Sequence, residues 1–225
     1  MNDFKIIKKS NGTCNSYNPQ TRIYINPKNS SKGSHIFDSF DVYFSGNISS
    51  SIKDATEKGI KNLINAVGLY SNKINHYNLS VQETQNFIDK IGVQEFNKEI
   101  LANLLSGYGH KKKAYQIMVG NFNLNGLNGC ALDKAAIINN YAQDFIHEFL
   151  VSHELGHIFK AVKKDRKNIS NALGLHCMDV QENKITPCAM RQDLTKKHLE
   201  ALSKAGGIYC RDCVKGMKEY IQREI

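Results

Sequence analysis

No apolar run in the chain approaches the length of a membrane span, which excludes a helical integral membrane protein. The first residues, Met1 to Lys9, are charged and lack the apolar stretch of a signal peptide, so the expected location is the cytoplasm. Basic charge is present but not concentrated. The formal net charge is +9, yet the lysines are scattered, and Lys111-Lys112-Lys113 reads as a solvated turn. A basic balance permits acidic partners. Without a basic patch or stripe, the distribution argues against nucleic acid.

What is there is the composition of a soluble globular protein, 41% hydrophobic and 23% charged over 225 residues. That length can bury a real core. The expectation is one domain over residues 1–225, with an N-terminal part to about 162 and a C-terminal part from about 163. Six cysteines are present, and four of them fall in the last third of the chain, two as Cys210-Arg211-Asp212-Cys213. In a reducing compartment such placement reads as metal ligands plus spare thiols rather than disulfides. Cys14, in a loop with no partner nearby in sequence, reads as a free thiol.

Periodicity divides the chain. Short strand-like pieces occur at Phe4–Ile7, Arg22–Ile25 and Asp41–Phe44, separated by loops rich in Asn, Ser and Gly. From Ser51 the period changes: Ile52, Ala55, Ile60, Leu63, Ile64 and Val67 form one helical stripe, which predicts a helix to about Gly68. A strand is expected at Ile74–Leu79, and Ser80-Val81-Gln82-Glu83 reads as a capping box opening a second helix. A further helical piece carries Phe96, Ile100, Leu101 and Leu104, and Ala114–Val119 is a strand. After a Gly/Asn-rich turn, Cys130–Ile138 reads as an edge strand, of the kind that can hold an extended peptide by main-chain hydrogen bonds or stand as an ordinary sheet edge.

The chemistry is carried by Val151-Ser152-His153-Glu154-Leu155-Gly156-His157, expected on a helix from about Ala142 to Val162. Histidines four apart lie one turn apart and project from one face, and the glutamate after the first sits beside that face. This is the HExxH signature of zinc hydrolases, in which the glutamate is the general base. His147 lies off that face and reads as a surface or structural residue; His35, His76, His110 and His198 read as surface residues. Zinc needs a third protein ligand and an open fourth position. His176 is chosen for its setting, Leu173-Gly174-Leu175-His176-Cys177, followed by Pro187-Cys188-Ala189-Met190 and then Cys210-Arg211-Asp212-Cys213.

A histidine followed directly by cysteine, then Cys-x-Met, then Cys-x-x-Cys, resembles the archaemetzincin family of zinc metallopeptidases, over the segment from Val151 to Cys213. The resemblance implies a catalytic zinc on His153, His157 and His176, with Glu154 as base. It implies that Met190 occupies the tight turn beneath the histidines, and that Cys177, Cys188, Cys210 and Cys213 hold a second, structural zinc. Four thiolates fill a tetrahedron and leave no position for chemistry. The implied fold is α+β: a metzincin-like mixed twisted sheet with an antiparallel edge strand, a backing helix, an active-site helix and a zinc-stapled C-terminal lobe. The implied substrate is a peptide or protein.

The chain departs from the metzincin pattern, which places glycine three and histidine six residues after the second histidine. Here those positions hold Lys160 and Lys163, and His176 lies nineteen residues on, beyond the polar run Lys163–Asn168. Ten residues separate Cys177 from Cys188, and Arg191-Gln192 follow Met190 where some metzincins have tyrosine. Two alternatives stand beside the main reading. In a gluzincin-type peptidase such as the Spartan class, Glu182 or Glu200 would supply the third ligand, but His176-Cys177 would then have no role. In a non-catalytic binding module both zincs would only hold the fold; an intact Glu154 argues against it, and Lys160 in place of glycine keeps it in view.

Overall fold

The computed structural model describes residues 39–69, 73–80, 82–83, 86, 114–122, 127–132, 134–140, 144–171, 174–178, 180–181, 184–185, 188–192, 202 and 208–224. The strands expected at Phe4–Ile7 and Arg22–Ile25, Cys14, the helical piece from Phe96 to Leu104, Lys111–Lys113, His35, His110 and His198 lie outside these residues.

A five-stranded sheet runs in the order β2-β1-β3-β5-β4. Its strands are β1 (Ser39–Ser45), β2 (Lys73–Leu79), β3 (Ala114–Gly120), β4 (Gly129–Leu132) and β5 (Ala135–Asn139). β1 pairs in parallel with β2 and β3, and β3 with β5; β4 runs antiparallel to β5. The sequence explains the order. β1, β3 and β5 are almost wholly buried, as parallel strands covered on both faces are. β2 and β4 are only partly buried and take the edges. The single edge strand expected over Cys130–Ile138 is in fact two strands, since the chain reverses between Leu132 and Ala135 and only β4 is the edge.

Helix α1 (Ser50–Val67) begins where the Ser49 side chain accepts from Ile52 N–H at 3.4 Å, and ends at Gly68, left-handed at φ 75°. Of the predicted stripe, Ile52, Ala55, Ile60, Leu63 and Val67 are buried and Ile64 partly so. The capping box at Ser80 also forms: Ser80 N–H donates to Glu83 Oε2 (2.8 Å), and Glu83 N–H to Ser80 Oγ (3.2 Å).

Helix α2 (Asp144–Ile158) carries the HExxH segment and packs on α1. Contact is close because Gly59 has no Cβ: one there would lie 2.6 Å from Val151 Cβ. Ser152 Oγ donates to Gly59 O (3.2 Å), and Asn62 Nδ2 to Glu148 Oε1 (2.7 Å). His147, half expected at the surface, is fully buried and shares a 2.9 Å hydrogen bond with Thr56 Oγ1. α2 stops short of the expected Val162. Lys160 turns left-handed at φ 52°, and its N–H donates to His157 O while Ala161 N–H donates to Gly156 O, a Schellman ending.

Beyond it come two small hairpins, β6 (Ile169–Ser170) with β7 (His176–Cys177) and β8 (Val180–Gln181) with β9 (Lys184–Ile185), then helix α3 (Arg211–Glu224). One cluster of buried apolar side chains runs from Phe40 on β1 to Ile221 on α3, and a series of ring contacts, stacked for Phe40–Tyr115, tilted for Tyr115–Phe159 and edge-to-face for Phe159–Tyr220, links the sheet to α3 past the end of α2. Among the described residues no helix is long and apolar enough to cross a membrane.

Candidate functional site

α2 presents His153 and His157 from one face, and β7 brings His176 to them. Ser170 opposite His176 and Ile169 opposite Cys177 fix the register of that return. Gly174, at φ +127°, makes the turn into β7; a Cβ there would sit 3.4 Å from His176 Cε1 and 3.5 Å from His157 Cε1. The three imidazole donors converge within 4.8 Å of one another.

Their protonation suits metal binding. His153 Nδ1–H donates to Ala189 O at 2.6 Å and His176 Nδ1–H to Gly174 O at 3.1 Å, which leaves a lone pair on each Nε2. Burial, then His176, pushes His153 down to about 4, and burial, then the neighbouring histidines and Lys160, pushes His157 down to about 2. Both rings are therefore neutral near pH 7. His157 Nε2 and His153 Nε2 are 3.2 Å apart. Two ligands at about 2.0–2.1 Å from one tetrahedral zinc stand roughly 3.3 Å apart, so this spacing fits.

Glu154 is buried, and burial pushes its carboxyl from 4.5 up to about 8. Its carboxylate lies against edge strand β4: a Cβ on Gly129 would be 2.8 Å from Glu154 Oε1. Met190 sits below the histidine face, fully buried, with Sδ where a Gly156 Cβ would come within 2.1 Å. Arg191 N–H donates to Cys188 O at 3.2 Å, closing the tight turn that carries Ala189 and Met190.

Cys177, Cys188, Cys210 and Cys213 are buried with their sulfurs within 4.8 Å of one another. The Cys177–Cys210 and Cys188–Cys213 sulfur separations are 3.7 and 3.6 Å. At a zinc–sulfur distance of about 2.3 Å a tetrahedron has edges of about 3.8 Å, so these residues too fit a zinc. Burial holds the Cys188 thiol well above its ordinary value; hydrogen bonding with the other three cysteines, then burial, does so for Cys213. Such a cluster gives up its protons to a metal rather than to water.

The structure brings His153, His157 and His176 into one cluster and Cys177, Cys188, Cys210 and Cys213 into an adjoining one, with Glu154 against Gly129 and Met190 against Gly156. Glu182 and Glu200, the alternative third ligands, lie outside the residues whose side chains are described. Three contributors carried no sequence signal. The Ala189 carbonyl fixes the His153 ring, and Tyr209 Oη donates to Ser152 O at 2.5 Å, tying α2 to the segment that enters α3. Arg166, in the polar run, points its guanidinium into the cysteine cluster.

No protein-family model matches the chain, and no curated protein sequence matches it. Solved structures do. The crystal structure of archaemetzincin from Methanopyrus kandleri superposes with a TM-score of 0.53 at 16% identity, over 86% of this chain and 99% of that one. A zinc-dependent peptidase from Methanocorpusculum labreanum matches at a TM-score of 0.39 and 11% identity, over 79% of this chain and 99% of that one. With its mixed, mostly parallel five-stranded sheet, its helices and its C-terminal cysteine cluster, the chain has an archaemetzincin-like fold.

Proposed function

We propose that the chain is a zinc-dependent metallopeptidase. Its catalytic zinc would be held by His153, His157 and His176, and a second, structural zinc by Cys177, Cys188, Cys210 and Cys213. The observation that carries the reading is the convergence of three imidazoles within 4.8 Å, beside a buried carboxyl group that faces a sheet edge. When bound there, zinc supplies a lowered pKa for water and polarisation of a scissile carbonyl.

The chain's own residues supply the rest. Glu154 accepts a proton from the attacking water at its carboxylate and returns it to the leaving amine. With a cation held by the three histidines, the Glu154 carboxyl would be drawn back below its buried value and stay ionised, as a base must be. Ala189 and Gly174 hold the His153 and His176 rings through their carbonyls, so that each Nε2 faces the site. The outer side of β4 offers main-chain N–H and C=O groups to an extended peptide or protein segment lying antiparallel to it. Gly129, without a side chain, leaves the Glu154 carboxylate its place against that strand.

The test is a Glu154→Gln variant assayed on a peptide library beside wild type. The variant keeps its zinc and loses peptidase activity by about 10²- to 10⁴-fold. Full activity in the zinc-loaded variant refutes the role of Glu154. Wild type that binds peptides saturably without turning them over is instead a binding module.

A further inference from the structure

Eighteen residues separate His157 from His176, thirteen more than the metzincin spacing has, and Arg166 lies midway along them. Its side chain is 13% exposed. Nη1 donates to Cys213 Sγ at 3.2 Å, and Nη2 to Cys177 Sγ at 3.4 Å and Cys210 Sγ at 3.6 Å. The remaining sulfur, Cys188 Sγ, receives the backbone N–H of Cys210 at 3.4 Å. Each of the four sulfurs therefore has an N–H aimed at it. Arg166 also faces Asp212 at 3.8 Å, but that carboxylate is 47% exposed, and a pair of this kind contributes little.

A guanidinium stays cationic wherever the protein folds. Four cysteine thiolates on a divalent ion sum to a net charge of about −2, and burying that charge is costly unless it is paired. We propose that Arg166 is the counter-cation of a metal–tetrathiolate centre at Cys177, Cys188, Cys210 and Cys213. It acts as a positioning residue, through which the insertion fixes Cys177 and hence the adjoining His176. The proposal rests on reading the cysteine cluster as a metal site. It goes beyond that reading by giving the insertion a task.

The experiment uses full-length protein loaded with cobalt, since sulfur-bound cobalt absorbs in the near ultraviolet and histidine-bound cobalt does not. Wild type, Arg166→Gln and Arg166→Lys are challenged with a chelator while that absorption is followed. Arg166→Gln loses its sulfur-bound cobalt about 10- to 100-fold faster than wild type, the usual cost of removing an outer-shell partner. Its absorption also moves to longer wavelength, because sulfurs deprived of N–H donors release charge to the metal more easily. Arg166→Lys, which restores the charge without the fork, recovers most of the retention. If Arg166→Gln fails to fold while Arg166→Lys folds and keeps its metal, the charge requirement is likewise upheld. Wild-type retention in Arg166→Gln overturns the proposal, as does equal loss from the Gln and Lys variants. Wild type with no sulfur–cobalt absorption removes the cysteine metal site itself and the proposal with it.

Discussion

Gly156 stands between Leu155 and the second histidine of the motif, in the middle of α2's last turns, where isolated helices prefer alanine by about 1 kcal/mol. The packing opposes that preference. A Cβ at position 156 would lie 2.1 Å from Met190 Sδ, against an ordinary carbon contact of about 3.5–4.0 Å, so the thioether must retreat by roughly 1.5 Å. It has nowhere to go, being fully buried with its backbone carbonyl taken by Cys177 N–H at 2.8 Å. Overpacking of this kind costs about 1–3 kcal/mol against a helical gain of about 1 kcal/mol, so Gly156→Ala destabilises by up to about 2 kcal/mol net. Urea unfolding at a fixed free zinc concentration measures it, with the zinc held constant because bound metal itself stabilises. Met190→Ala supplies the other edge of a double-mutant cycle: alone it leaves a cavity costing about 2–5 kcal/mol. In the double variant the new methyl enters the space Met190 vacated, so the combined loss falls short of the sum. A stabilised Gly156→Ala, or strict additivity of the two changes, refutes the account of Met190 as the floor of the histidine site.

Two further expectations follow from single residues. Burial holds His147 down to about 4 from 6.5, so its proton binds the unfolded chain preferentially: stability is full above pH 6.5, falls as the pH drops and levels off near 4, by about 3 kcal/mol in all. Comparing pH–stability profiles of wild type and His147→Gln isolates this contribution, and parallel profiles contradict it. Lys160, exposed and left-handed at φ 52°, occupies a conformation natural to glycine, so Lys160→Gly stabilises the chain by about 1 kcal/mol in urea unfolding; a loss would show that the Lys160 backbone is not strained.

Lys160 also shows what a sequence discloses and what it withholds. The metzincin glycine is missing by residue type, yet its left-handed helix ending is kept, because the Schellman bonds from Lys160 and Ala161 hold the backbone there. HExxH, the α1 stripe and the apolar run of β3 were legible because their physics is local: ligand spacing on one helical face, a period of 3.6, and burial on both faces of a parallel strand. The β4–β5 hairpin was not, since the two residues between Leu132 and Ala135, Asp133-Lys134, are not a turn dipeptide of the usual kind. Arg166 and the Ala189 carbonyl were invisible for a different reason. A guanidinium becomes a sulfur ligand's partner only once cysteines from three distant segments have assembled around it. A carbonyl's role leaves no trace in residue type.

The same physics explains how the third histidine can sit so far along the chain without leaving its place in space. In the metzincin spacing five residues lie between the second and third histidines, and here there are eighteen. Loop-closure entropy grows only with the logarithm of length, so this lengthening costs about 1 kcal/mol. The insertion recovers that amount through its own contacts. Lys163, standing where the pattern has histidine, pairs with Glu219 on α3. Asn168 O accepts from Met178 N–H at 2.9 Å, and Ile169 and Ser170 pair with Cys177 and His176. One net hydrogen bond is worth about 1 kcal/mol, so two or three of these suffice. The chain before His176 can then lengthen freely, provided that the strand carrying it is pinned on both sides. Here β6 pins His176 from one side and the cysteine cluster, through Cys177, from the other.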